Sequence, residues 1–138
     1  MGRRPRDGNI DLYIKYAMAI EKVLEWAGAS KRDLMNFPEE VRRAMGYALG
    51  VAQLGAKHPS AKPWKGEGAG VLEVVESDAG NAYRAVYTVR FSKAVYVLHC
   101  FQKKSPDGIR TAKTDIELVH QRLRSAQQHY EEHYGQAS

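Results

Sequence analysis

Apolar residues change their spacing several times along this chain, and each change predicts an element. Ala19–Trp26 reads as a strand, although Ala17–Trp26 also fits a continuing helix. Ser30-Lys-Arg-Asp33 has the form of a capping box and predicts a short helix ending near Phe37. Pro38 suits the first turn of a second helix, and Glu39 and Glu40 favour the positive end of its dipole. Val41, Met45, Ala48, Leu49 and Ala52 recur at helical spacing as its buried stripe, and Gly55 stops it. Residues 56–70 are polar and rich in Gly and Pro, which predicts a connection without regular structure. From Gly70 a strand runs to Ser77, and the turn Asp78-Ala-Gly-Asn81 leads into two further strands joined by Phe91-Ser92-Lys93. Ser105-Pro-Asp-Gly108 is a turn. Thr114-Asp-Ile-Glu117, a second capping-box match, opens a last helix with Ile116, Val119, Leu123, Ala126 and Tyr130 on its buried side.

Alternation within the hairpin puts Arg84, Val86, Thr88 and Arg90 on one face, and Tyr83, Ala85, Tyr87 and Val89 on the other. Ala94–Phe101 is apolar on both faces, as a central strand requires. The element order predicts a small α+β domain over residues 18–138. It consists of an antiparallel or mixed sheet of about four strands, an N-terminal helical hairpin and a C-terminal helix. Residues 1–17, which carry Arg3, Arg4 and Arg6, read as an N-terminal extension, with Met18 as an alternative start.

With 43% hydrophobic and 27% charged residues in 138, the composition is that of one soluble domain, and no apolar run approaches the roughly 20 residues that span a bilayer. Asp7 and Asp11 follow the first arginines, which argues against a secretory leader. Cys100 is the only cysteine and falls inside a core strand, so the expected home is a reducing cytoplasm. The formal charge of +5 favours a polyanionic partner.

Several segments appear in a familiar order. They are Leu24-Glu-Trp, Ser30-Lys-Arg-Asp-Leu, Phe37-Pro-Glu-Glu-Val, Ala48-Leu-Gly-Val-Ala-Gln-Leu-Gly55, Lys62-Pro-Trp-Lys65, Gly70-Val-Leu-Glu-Val, Ala82-Tyr-Arg-Ala-Val-Tyr, Tyr96-Val-Leu-His-Cys-Phe-Gln-Lys-Lys104 and Thr114-Asp-Ile-Glu-Leu. Together they make roughly Lys22 to Arg124 resemble the phage-derived HigB-like toxins of the RelE/ParE superfamily. The resemblance implies the toxin of a type II toxin–antitoxin pair. It implies a ribosome-dependent endoribonuclease that cuts translated mRNA through the 2′-hydroxyl without a metal or other cofactor. Expected partners are a helix-turn-helix antitoxin, with which the toxin can form a higher oligomer, together with the ribosome and mRNA, and no membrane. The same fold also carries gyrase inhibitors. A non-catalytic inhibitor of gyrase or another protein, or an inactive RNA- or ribosome-binding module, is therefore the alternative.

Cleavage of this kind needs cationic donors where charge builds on the phosphorane, each worth about 10²–10³ in rate. Arg84 matches the arginine of the family's Tyr-Arg strand, and its planar fork suits a phosphate. Its structural alternative is a pair with Asp115 or Glu117 on the last helix. Lys103 and Lys104 match the lysine pair that ends the next strand, and complete the expected catalytic group. Lys62 and Lys65 flank Trp64 in the manner of a single-strand contact, with the ring on a base or else capping the core. Arg90 shares the face of Arg84 and is a further RNA contact. His99 is a candidate RNA-binding or base residue, but alternation places it with Val95, Val97 and Phe101. Gly66-Glu-Gly-Ala-Gly70 precedes a strand and so cannot cradle a nucleotide phosphate as a helix-opening loop does. His129 and His133 have zinc-like spacing without a further ligand, so no metal site is expected. Cys100 reads as a core residue.

Overall fold

The computed structural model describes residues 21–103 and 111–135. In chain order the elements are β1 (Val23–Trp26), α1 (Ser30–Met35), α2 (Glu39–Gln53), β2 (Lys62–Pro63), β3 (Val71–Asp78), β4 (Asn81–Thr88), β5 (Ala94–Lys103) and α3 (Lys113–Tyr134). The five strands form one mixed sheet in the order β1-β5-β4-β3-β2, with β1 parallel to β5 and the other pairs antiparallel. The fold is thus α+β, with one strand more than the sequence predicts. The extra strand is β2, a two-residue piece inside the Gly/Pro-rich connection whose register is set by β3 (Lys62 opposite Glu73). The expected N-terminal extension and Lys104 lie outside the described residues.

Each face of the sheet buries its own cluster. On one side α1 and α2 cover Val74, Tyr83, Ala85, Tyr87, Val95 and Val97 with Leu34, Val41, Met45, Ala48 and Leu49. On the other, α3 lays Val119, Leu123, Ala126 and Tyr130 over Val71, Val86, Tyr96 and Leu98. Covered on both faces and flanked on both edges, β5 is the central strand that its apolar run demands. Burying a side chain such as Leu98 or Val86, both fully inaccessible, contributes about 1.5–3 kcal/mol each.

Three local expectations are overturned. Ser30 is the first residue inside α1 and caps nothing; its hydroxyl, fully buried, donates to the carbonyl of Val97 at 3.2 Å, tying the helix to β5. Nor does Thr114 cap α3, which already begins at Lys113 after an extended Ala112. Ile116 is 42% exposed, because its position in the first turn lies beyond the stripe that meets the sheet.

The most consequential departure is in β5. The register with β4 runs Arg84–Phe101, Ala85–Cys100 and Val86–His99, and then jumps to Tyr87–Val97. Leu98 is the extra residue of a β-bulge, so Leu98 and His99 both turn to the α3 face. Simple alternation, which grouped His99 with Val95 and Val97, fails at that residue.

At the other end of β4, Arg90 closes the Gly-rich connection. Its Nε donates to the Ala69 carbonyl at 2.8 Å and its Nη2 to the Glu67 carbonyl. Gly70 has φ +86°, and a Cβ there would stand 2.7 Å from Arg90 Cγ. Gly70→Ala is therefore expected to lower stability by about 1–3 kcal/mol. The check is a shift in the urea midpoint with an unchanged slope.

Candidate nucleic-acid interface

Side chains from β2, β3, β4 and the start of α3 surround a recess of about 640 Å³ on the α3 face. Register decides who meets there. Lys62 stands opposite Glu73, and Arg84 is the diagonal neighbour of Glu73 on the same face. Opposite Ala82, one row towards the strand end, is Lys103. Lys65 and Trp64 follow β2 into the same rim, and Thr111 and Ile116 close it from α3's side.

Arg84 is fixed from two sides. Its Nη1 donates to Glu73 Oε1 and to Thr111 Oγ1, each at 3.1 Å, with both side chains of the ion pair only 10–12% exposed. Its Nε is buried and has no partner among the described residues. A buried donor left unmade costs about 1–3 kcal/mol. Burial, then the neighbouring Arg84 and Lys62, hold the Lys103 ammonium below its ordinary value of 10.5, against the opposing pull of Glu73. Lys62 and Lys65 are exposed at the mouth.

The structure thus brings together Arg84, Lys103, Lys62 and Lys65 from three separate stretches of sequence. The partner of Arg84 is neither Asp115 nor Glu117, because Asp115 is already engaged by His99 at 2.8 Å. Two residues were missed in the sequence. Glu73 carried a readable signal, a carboxylate at the inward-alternating position between Val71 and Val75. Thr111 carried none, since it reaches Arg84 only through the packing of α3's leading end.

Other candidates lie elsewhere. Arg90 holds loop carbonyls at the opposite end of β4. His99 has both ring nitrogens engaged: Nε2 meets Asp115, and Nδ1 receives Arg122 Nη1 at 3.4 Å. Since arginine cannot accept, Nδ1 is the acceptor and the Nε2 hydrogen points to the carboxylate. The ring stacks on Phe101 at 4.5 Å, and neither residue lines the recess. Trp64 is 4% exposed in the α3-side core, so its ring supports the wall and offers no face to a base. Trp64→Ala is expected to cost about 3–5 kcal/mol of stability, while Trp64→Phe keeps most of it, as thermal unfolding would record. Cys100 is buried with its thiol pushed up to about 12, which suits a core residue and not a nucleophile. Among the described residues, no group of three His, Cys, Asp or Glu is placed to hold a metal, and no helix is long and apolar enough to cross a membrane.

No curated protein matches the chain. Among solved structures, a chain of the toxin–antitoxin complex RelBE2 from Mycobacterium tuberculosis is similar at 21% identity and a TM-score of 0.42, over 59% of this chain and 96% of that one. Residues 32–124, about two thirds of the sequence and the span from α1 through most of α3, match the family described as phage derived protein Gp49-like (DUF891). This chain therefore belongs to the phage-derived Gp49-like family.

Proposed function

We propose that this protein is the toxin of a type II toxin–antitoxin pair, of the HigB-like kind, and that it cleaves translated mRNA on the ribosome through the 2′-hydroxyl. The observation that carries this reading is Arg84. It is a guanidinium only 12% exposed, oriented by Glu73 and Thr111, in a recess lined by Lys62 and Lys65 and electrostatically coupled to Lys103 beside it. A guanidinium anchored in this way, beside the Lys62 and Lys65 ammoniums, is preorganised to donate to an incoming phosphate oxygen.

The chemistry follows from the residues present. The 2′-oxygen attacks the adjacent phosphorus, its proton passes to the Glu73 carboxylate, and the bond from phosphorus to the 5′-oxygen breaks. Lys103, whose ammonium is more acidic than an ordinary lysine's, supplies the proton to that leaving oxygen. The products are a 2′,3′-cyclic phosphate and a 5′-hydroxyl. Arg84, with Lys62 and Lys65 behind it, offsets the charge that accumulates on the phosphorane. A helix-turn-helix antitoxin that occludes this recess is the matching partner.

The test is induction of the chain in a bacterial host with mapping of new RNA 5′ ends. Cuts confined to translated regions and absent from an Arg84→Ala control support the reading. Growth arrest without new ends sinks it and moves the target to gyrase or another protein. Lys62 and Lys65 are expected to act through charge alone. Replacing both with alanine should weaken RNA binding evenly across sequences and reduce the slope of log affinity against log salt by roughly 1.4, about 0.7 per single-strand phosphate contact. A filter-binding salt series measures it.

A further inference from the structure

On the opposite face of the sheet, at the same end, lies a second recess of about 560 Å³ between the α1–α2 turn and the ends of β4 and β5. It shares strands with the cationic site residue for residue. Tyr83 and Gln102 line it, while their chain neighbours Arg84 and Lys103 belong to the other face. Its wall is aromatic, with the rings of Phe37 and Tyr83 at 4.9 Å and tilted by 54°. Around that wall stand three polar side chains with hydrogen-bonding capacity to spare. Asp33 has only a long, exposed contact of 3.8 Å to Arg32. Asn36 and Gln102 are exposed, and their side-chain amides have no partner among the described residues. Asp33 and Cys100 both line the recess, and burial, then the Asp33 carboxylate, raise the Cys100 thiol to about 12.

We propose that this recess binds a guanine base, with Asp33 accepting from its N1–H and N2–H, the Asn36 and Gln102 amides donating to its acceptor edge, and the base lying against Phe37. A carboxylate flanked by amides on an aromatic wall matches the donor edge, acceptor edge and ring face of guanine. Guanine presents two adjacent donors, N1–H and N2–H, to one carboxylate, whereas adenine offers one donor beside an acceptor and uracil a single donor between two acceptors. Unstacked bases are read in this way, on a ring and by their edges. The guanine can come from RNA or from a free nucleotide. With RNA as its source, the inference rests on the endoribonuclease reading: a strand crossing the end of β5 would leave its phosphate at Arg84 and the neighbouring base at Asp33, which makes this recess the source of sequence preference.

Titration of the isotope-labelled full chain with GMP and with AMP tests it, following the side-chain amide signals of Asn36 and Gln102. The expected result is saturable GMP binding at least tenfold tighter than AMP, with both amides shifted, and a preference reduced below threefold in Asp33→Asn. Asp33 is one-third exposed on α1, and the variant's own spectrum reports whether it is folded. Equal affinity for the two nucleotides, no binding, or shifts confined to other residues would overturn the proposal. A non-cleavable 2′-O-methyl GpA dinucleotide separates the sources. Tighter binding than GMP, abolished by Arg84→Ala, assigns the base to RNA; no gain over GMP overturns the RNA route and leaves a free-nucleotide site. None of these readings depends on turnover, so a protein that binds guanine but cuts no RNA fails the proposed function alone.

Discussion

Arg84→Ala is expected to lower mRNA cleavage by about 10²–10³, the loss that follows when one preorganised donor to a developing oxyanion is removed. The same change leaves the Glu73 carboxylate, 10% exposed, without its ion-pair partner, which costs about 3 kcal/mol of stability. A lost activity could then be misread as a lost fold. Unfolding of the Arg84→Ala protein itself separates the two: a variant still folded under assay conditions that has lost cleavage has lost the donor and not the fold. Arg84→Lys keeps the charge but gives up the planar fork that reaches Glu73, Thr111 and a phosphate together, and is expected to recover only part of the rate. Single-turnover cleavage on programmed ribosomes, paired with urea unfolding of each variant, gives both numbers. Wild-type cleavage by a folded Arg84→Ala protein would remove Arg84 from the mechanism.

The parts of this fold that were legible in the sequence are those where one period persists. The stripe from Val41 to Ala52 returns as the buried face of α2, and the alternation from Tyr83 to Val89 returns as the two faces of β4. What sequence did not reveal arises where tertiary pairing overrides a local pattern. Strand β2 is two exposed residues, one of them a proline, and exists only because β3 offers it an edge. The bulge at Leu98 has no glycine or other marker, yet it moves His99 to the other face of the sheet and into a pair with Asp115. Ser30 has the chemistry of a cap, but the nearby Val97 carbonyl competes for its hydroxyl and wins because both are buried. In the recess, the positive charges were readable, and so was the inward carboxylate of Glu73, but not that the two would pair. Helix α3 offers Asp115 and Glu117, but Arg84 pairs with Glu73 on its neighbouring strand.

Glu73→Gln is the change that distinguishes a catalytic carboxylate from an anchoring one. The amide keeps the shape of the side chain and an oxygen for Arg84 Nη1, but it cannot take the 2′-proton. Cleavage is expected to fall by about 10²–10⁴, the range for loss of a positioned general base. RNA binding should hold or tighten, since a negative charge has left a cationic recess. A fall in rate without a fall in affinity cannot be produced by a damaged phosphate site, so the split between the two is diagnostic. The pH profile carries a second signature. Glu73 pulls the Lys103 ammonium upward while burial, Arg84 and Lys62 push it down. Removing Glu73 lets Lys103 lose its proton at a lower pH, so the alkaline limb of the residual activity should move to lower pH while the acidic limb flattens. If Glu73→Gln instead cleaves at the wild-type rate with an unmoved profile, the carboxylate serves only to hold Arg84, and the 2′-proton leaves by another route.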